Sequence, residues 1–162
     1  MKAFRIAAET PAYSAIDISG RGAADYGGRW NAKTAFIVYC ADSISLAYLE
    51  TLTSLTGGPP PRNRYLIEIS IPADIWKRRR DAEADRTLPP GWNAHPPGRA
   101  SIDYGTAWLA SGSSAILVVP SVVVPQERNI LINPRHSGAA AITALNRGLA
   151  LYDHRLFPGS AP

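Results

Sequence analysis

Glycine and proline interrupt this chain so often that it can contain only short helices and strands. The 162 residues include 13 glycines and 14 prolines, and both residue types end regular elements or set turns. The longest apolar stretch, from Ala115 to Val124, is itself broken by Pro120 and Ser121. No run approaches the roughly 20 residues that span a membrane as a helix. The length and this punctuation predict a single domain built from many short elements.

The composition is that of an ordinary globular protein in a reducing compartment. Hydrophobic residues make up 46% of the chain, and its one cysteine, Cys40, excludes an internal disulfide framework. The first eight residues carry Lys2 and Arg5 and are too short for a signal peptide. We therefore expect a cytoplasmic protein that has no membrane partner.

Arginine supplies most of the positive charge, and two interpretations of that charge stay open. The formal net charge is +4, which fits either a solvated surface or an anionic ligand or acidic protein partner, since a guanidinium binds phosphate and carboxylate as a fork. The densest cluster, KRRR at 77–80, is followed at once by Asp81, Glu83 and Asp85. Alternating signs favour a solvated surface loop, so we expect no direct nucleic-acid partner.

The hydrophobic pattern predicts mostly strands, with two helices between them. One helix is capped by Asp42 or Ser43 and carries Glu50, and the segment Pro11–Asp25 reads as irregular. A turn is expected at Asn146–Gly148. The remaining predictions are a helix over Ser101–Ser111, an extended path over Val122–Pro125, and strands over Lys2–Ala8, Ala35–Cys40, Arg64–Ile71, Ser114–Val119, Asn129–Ile132 and Leu149–Tyr152. This order predicts an α+β domain with a curved or split, antiparallel-rich sheet.

The stretch from Gly27 to Glu50 holds the best candidates for chemistry. Arg29, Tyr39 and Glu50 bring a guanidinium, a phenol ring and a carboxylate, which we place on a strand, a second strand and a helix. Elements adjacent in sequence usually pack together, so the three side chains could face one cleft. Each also has an ordinary structural interpretation: a turn arginine, a core ring and a solvated helix carboxylate.

Together these side chains suit the cleavage of a nicotinamide dinucleotide at its glycosidic bond. Arg29, with Trp30 as a planar neighbour, would hold the diphosphate, and Tyr39 offers a flat face to a heterocycle. Glu50 would stabilise a cationic ribosyl centre. Ser121 would either bond a ligand or form a turn. Because no second His or Cys stands at ligand spacing from His95, we expect no metal.

Long motifs resemble the RES domain family, the toxins of bacterial toxin–antitoxin pairs with an Xre-type antitoxin. The family is named for an Arg, a Glu and a Ser, which match Arg29, Glu50 and Ser121. The matching segments are GRGAADYGGRWN at 20–31, VYCADSISLAYLE at 38–50, LPPGWNAHPP at 88–97, GTAWLASGSSAILVVPSVVVPQERNILINPRH at 105–136 and YDHRLF at 152–157.

The resemblance implies a fold similar to ADP-ribosyltransferase toxins and NAD as the substrate, without a prosthetic group. It also implies that Arg29 and Tyr39 bind NAD, that Glu50 is the catalytic carboxylate, and that Ser121 and Asn133 line the pocket. The acceptor stays open between water, phosphate and a protein such as an enzyme of nucleotide metabolism. Growth arrest is expected, with neutralisation by an antitoxin segment that fills the cleft.

The remaining expectations concern the domain bounds, the turn after Trp30 and the alternative function. The RES domain would cover residues 1–157, and 158–162 would be a frayed tail. The family often has Asn-Pro and then Gly after the Arg-Trp pair, whereas this chain has Asn31-Ala32-Lys33-Thr34, so the turn after Trp30 is where the chain departs from the pattern. The alternative to an enzyme is a non-enzymatic protein-interaction module.

Overall fold

A computed structural model describes residues 1–11, 13–55 and 62–157, so the expected tail at 158–162 lies outside the described residues. The helices are α1 Arg21–Tyr26, α2 Ile44–Leu52, α3 Ala73–Lys77 and α4 Arg99–Ser111. The strands are β1 Lys2–Ala8, β2 Val38–Ala41, β3 Arg64–Ser70, β4 Arg80–Asp81, β5 Ile116–Pro120, β6 Arg128–Ile132 and β7 Thr143–Leu149. Two 3-10 turns cover Ser137–Ala141 and His154–Leu156.

The described strands form one seven-stranded sheet in the order β4-β5-β6-β2-β1-β3-β7. Every pairing is antiparallel except that of β4 with β5. The prediction of an α+β domain with an antiparallel-rich sheet is therefore confirmed.

The sheet is almost split between β1 and β2. These strands share a single register pair, Phe4 with Ala41, whereas β1 pairs with β3 along its whole length and β2 pairs with β6 over four residues. Beyond Phe4 and Ala41 the two strands diverge, and their facing edges are not paired with each other. A gap opens there in the middle of the sheet.

Both faces of the sheet are covered at its centre. The side chains of β5 alternate between two hydrophobic clusters, with Ile116 and Val118 in one and Leu117 and Val119 in the other. The second cluster contains Trp108 of α4, so this helix covers that face. A strand buried on both faces reads as a continuous apolar run, which is the pattern of β5.

Several local predictions were wrong. The segment Pro11–Asp25 was expected to be irregular but contains the start of α1, whose six residues lie between Gly20 and Gly27, both with positive φ. A helix of six residues with a glycine at each end is too short to show helical periodicity in the sequence. Likewise β7 continues through the expected turn at Asn146–Gly148, where Gly148 has φ 108°. Of the strand expected at Leu149–Tyr152, only Leu149 lies in a strand, as the last residue of β7.

Two other segments differ, one of them only in part, from their predicted conformations. Val122–Pro125 forms no strand, because Ser121 initiates a turn through hydrogen bonds to the next residues. The charged stretch that was expected to be a solvated surface loop is mostly turn: Arg78 and Arg79 connect α3 to β4, and 82–86 is a turn. Only the two-residue strand β4 interrupts it, and Arg78 and Arg80 make surface ion pairs with Asp74 and Asp85. No helix within the described residues is long and apolar enough to cross a membrane.

Candidate active site

The gap in the sheet forms a cleft of about 430 Å³. This volume lies within the range of about 300–1,000 Å³ that is typical of small-molecule sites. One wall is the edge of β1 and the other is the segment Ile37–Ala41, which contains β2. The beginning of α1 and one face of α2 add to the lining, together with Tyr13, Ser14, Asp17, Arg64 and Asn129.

Helix α2 is held against the sheet by its N-cap, as the sequence predicted. The Ser43 hydroxyl accepts a hydrogen bond from the backbone N–H of Leu46 and donates one to Oε2 of Glu127, with distances of 3.0 and 2.6 Å. The first bond satisfies an otherwise free N–H at the helix start. The second ties the helix to the turn before β6, so α2 has a fixed orientation along the cleft.

Glu50 lies on the face of α2 that lines the cleft, one turn after Ala47. Its Oε1 accepts two hydrogen bonds, from Oγ of Ser121 at 2.8 Å and from Nδ2 of Asn129 at 2.7 Å. These donors come from the turn after β5 and from β6. The carboxylate is therefore held by two separate elements and still faces the cleft.

The Ser121 hydroxyl is fully engaged within the protein. Ser121 is 0% exposed, and its Oγ accepts hydrogen bonds from the backbone N–H groups of Val123 and Val124, each at 3.0 Å, while donating to Glu50. A hydroxyl has one donor and two acceptor positions, so no position remains for a ligand. The structure thus brings Ser121 to the site as a support for Glu50.

Tyr39 lines the cleft and also supports the turn that carries Arg29. Its hydroxyl donates to Oδ1 of Asn31 at 2.7 Å and accepts from the backbone N–H of Trp30 at 3.0 Å. Burial raises the pKa of Tyr39 well above its usual range, so the phenol remains a neutral hydrogen-bond donor.

Arg29 lies in the turn between α1 and β2 and not on a strand, which corrects the sequence-based expectation. Nη1 donates to the carbonyl oxygens of Trp92 and Ala94, at 3.0 and 2.7 Å. Partial burial lowers the pKa of Arg29, and the nearby Glu50 carboxylate and Tyr39 oppose that effect. The guanidinium thus lies within electrostatic reach of Glu50 while it anchors the loop around residue 92.

Trp30 and Asn133 do not lie in the cleft. The Trp30 indole is 2% exposed and packs between the rings of Trp92 and Tyr104, each with a centroid distance of 6.0 Å. Asn133 is also 2% exposed, and its Nδ2 donates to the carbonyl of Leu109. Both residues support the elements around the site from within the core.

Two asparagines that the sequence analysis did not single out belong to the site. Buried Asn31 accepts a hydrogen bond from the Tyr39 hydroxyl and donates to the carbonyls of Ala23 and Ala35, which lie on either side of the Arg29 turn. Asn129 lines the cleft and contacts Glu50. Alternation along β6 places Asn129 on the face opposite Ile130, but alternation does not reveal which element that face meets. Within the described part of the chain, no three His, Cys, Asp or Glu side chains are grouped to hold a metal.

Comparison with known proteins connects this site to a family. The RES domain matches residues 2–154. The chain is 46% identical over 153 residues to the Prs ADP-ribosylating toxin of Sphingobium sp. (strain YBL2), with 94% of each protein covered. It is 40% identical over 124 residues to Toxin Res of Yersinia enterocolitica serotype O:8 / biotype 1B, which covers 76% of this chain and 79% of that protein.

A solved structure has the same fold. A chain in the crystal structure of the Mycobacterium tuberculosis MbcT–MbcA toxin–antitoxin complex superposes with a TM-score of 0.60, covering 91% of this chain and 84% of that one at 15% identity. At this identity the similarity concerns the fold alone. The domain match over nearly the whole sequence and the two toxins at 40% and 46% identity show that the chain belongs to the RES domain family of toxins.

Proposed function

We propose that this chain is the toxin of a toxin–antitoxin pair and that it breaks the nicotinamide–ribose bond of NAD in the cleft between β1 and β2. The observation that carries the proposal is the carboxylate of Glu50. It faces a cleft of suitable size and is fixed by two hydrogen bonds. Its charge also interacts with the Arg29 guanidinium.

The charges in the cleft fit this reaction. Breaking the bond releases neutral nicotinamide and leaves positive charge on the ribosyl carbon, which a pre-positioned carboxylate stabilises. Since Ser121 and Asn129 already hold Glu50, little reorganisation is needed as that charge develops. An acceptor then attacks the ribosyl carbon. Glu50 can orient a hydroxyl of the ribosyl group or take the proton of the acceptor.

The other residues of the site would bind NAD or hold the cleft in shape. Arg29 would hold the diphosphate of NAD with the nitrogen atoms that are not committed to the carbonyls of Trp92 and Ala94. Tyr39 would place its ring beside the nicotinamide while its hydroxyl keeps the Arg29 turn in position. Ser121 supports Glu50, and Trp30 and Asn133 support the surrounding elements.

For the acceptor, we favour transfer of ADP-ribose to a protein over transfer to water or phosphate. The Sphingobium relative, at 46% identity over almost the full length, is named as an ADP-ribosylating toxin that acts on Prs. The Prs protein of the host cell is therefore the first acceptor to test. Water and phosphate remain the alternative acceptors because the same cleft chemistry serves all three.

We also propose a cognate antitoxin of the Xre type as the partner. The structural neighbour was solved as a toxin–antitoxin complex. A segment of the antitoxin that enters the cleft near Arg29 would exclude NAD and neutralise the chain.

The first experiment measures NAD in cells after brief induction of the chain. Wild type should lower NAD or, if the acceptor is a limited amount of protein, stop growth while labelling that protein with ADP-ribose. Glu50→Gln keeps the shape of the side chain but removes its charge and should abolish both effects. Glu83→Gln, which changes a surface carboxylate that pairs with Arg128, is the matched control and should behave as wild type.

Incubation of lysate with labelled NAD separates the acceptors. A discrete labelled band indicates protein transfer, and free ADP-ribose without a band indicates hydrolysis. Growth arrest that persists in Glu50→Gln, with NAD and protein labelling unchanged, would instead support the alternative of a non-enzymatic protein-interaction module.

A further inference from the structure

The two oxygens of the Glu50 carboxylate have different surroundings. Oε1 accepts hydrogen bonds from Ser121 at 2.8 Å and from Asn129 at 2.7 Å. From the part of the chain that the structure describes, no hydrogen bond reaches Oε2. Because a carboxylate oxygen has two lone pairs in its plane, the two donors occupy Oε1 and leave Oε2 as the oxygen that is available in the cleft.

The two donors differ in their relation to the cleft. Ser121 is fully buried, and its hydroxyl is also the acceptor for the turn at Val123 and Val124. Asn129 lines the cleft, and its amide bonds Glu50 directly. Asn129 is therefore the member of this pair whose change can be studied without disrupting a buried turn.

The backbone of Asn129 is held on both sides. Strand β6 lies between β2 and β5, and Asn129 is the register partner of Ala41 on one side and of Val119 on the other. The backbone from which the amide extends is therefore fixed by both neighbouring strands, and its contact ties the carboxylate of α2 to the centre of the sheet.

We propose that Asn129 is a positioning residue for the carboxylate, which directs Oε2 of Glu50 toward the ribosyl carbon by holding Oε1. This role rests on the proposed function of the cleft. Asn129 acts through its N–H donor, so the property that matters is the ability to donate a hydrogen bond and not the size or polarity of the side chain. Loss of the donor should lower turnover and leave substrate binding nearly unchanged.

The test compares two near-isosteric variants of the full chain in steady-state cleavage of NAD. Asn129→Leu has a similar volume and no donor at any pH. Asn129→Asp has the same shape, but it can donate only when a proton is present between the two carboxyl groups. Asn146→Asp, on the exposed edge strand β7, is the control for adding a carboxylate elsewhere.

At neutral pH, both Asn129 variants should lose about ten- to a hundredfold in kcat, the usual effect of one hydrogen bond to a charged group, while KM changes less than about twofold. Two carboxyl groups in contact do not both ionise readily, so the Asn129→Asp pair retains a proton at a higher pH than an isolated carboxyl group would. Its kcat relative to wild type should therefore rise as the pH is lowered from about 8 to about 5.5. The ratio for Asn129→Leu should stay flat.

Three results would overturn the role. An increase in KM with unchanged kcat would mean that Asn129 binds the substrate directly. Equal, pH-independent ratios for both variants would mean that the donor is not the acting property, and wild-type kcat in Asn129→Leu would mean that the contact is unimportant. Wild type that neither turns over NAD nor labels a protein in lysate would remove the proposed function itself, whereas active wild type with unaffected variants removes only this role.

Discussion

The backbone carbonyl of Trp30 lies so close to Gly105 that a methyl group on the glycine would be 2.0 Å from the carbonyl oxygen. Helix α4 thus contacts the backbone of the turn that carries Arg29 with no side chain between them. One residue further along the helix, Thr106 Oγ1 accepts a hydrogen bond from the backbone N–H of Ala32 at 3.0 Å. The turn that carries Arg29 is thus supported by these two contacts from α4.

Substitution of Gly105 by alanine should destabilise the protein by about 1–3 kcal/mol or more, although alanine is the better helix former. The added methyl group would force apart two backbones, which cannot yield as a flexible side chain can. Gly22→Ala, in α1, is the control because the nearest atom to its added methyl group is 3.9 Å away, and it should be neutral or slightly stabilising. Urea midpoints of the two variants provide the measurement.

Thr34→Gly should stabilise the protein by about 1 kcal/mol. Thr34 has φ 72°, a left-handed conformation that is unfavourable for a β-branched residue and natural for glycine. The position falls in the segment where the chain departs from the family's Asn-Pro-then-Gly pattern. Thr143→Gly, at the start of strand β7, is the control and should lower the melting temperature; a fall with Thr34→Gly as well would show that no strain is present.

Ser121→Ala should reduce both stability and activity. It removes the donor to Glu50 and leaves the N–H groups of Val123 and Val124 without their acceptor, at a cost of about 1–3 kcal/mol in unfolding free energy. Ser113→Ala changes an exposed serine and should stay within about 0.5 kcal/mol of wild type. Chemical denaturation followed by an NAD assay at a temperature where both variants are folded distinguishes the two effects.

The ion pairs around Glu68 should make the fold sensitive to acid. Hydrogen bonds from Lys2 and Arg147 hold the pKa of Glu68 below its usual range. A carboxyl group whose pKa is lower in the folded state stabilises the fold above its unfolded pKa, near 4.3, and this stabilisation is lost as the pH falls through the folded pKa. Glu68→Gln should be less stable than wild type at pH 7, and the difference should shrink toward pH 3.

Urea midpoints at pH 7, 5, 4 and 3 give this comparison. Glu83→Gln alters a more exposed pair and should leave the shape of the wild-type pH profile unchanged. A constant difference between Glu68→Gln and wild type at all four pH values would contradict the expectation.

The part of the site that the sequence predicts well is local. Ser43 caps α2, and helical spacing from that cap places Glu50 on a defined face, since both follow from residues a few positions apart. Strand β1 was predicted with its observed bounds, Lys2–Ala8. Resemblance to a family added the roles of Arg29 and Ser121, which no periodicity contains.

The contacts that the sequence does not predict join residues far apart in the chain. Asn129 and Glu50 are 79 positions apart, and Arg29 meets the loop carbonyls 63 and 65 positions later. Such pairs depend on how the sheet orders its strands. For the same reason, the burial of Trp30 could not be read from its position beside Arg29, because its ring points to Trp92 and Tyr104.

Because β1 and β2 share only the register pair of Phe4 and Ala41, the cleft between them can tolerate sequence change. Along strand edges that are not paired with each other, alternate peptide groups point into the opening, so β1 and β2 offer main-chain donors and acceptors to the cleft. Substitutions other than proline leave these donors and acceptors in place. Most side chains along the two strands can therefore change while the lining of peptide groups stays similar.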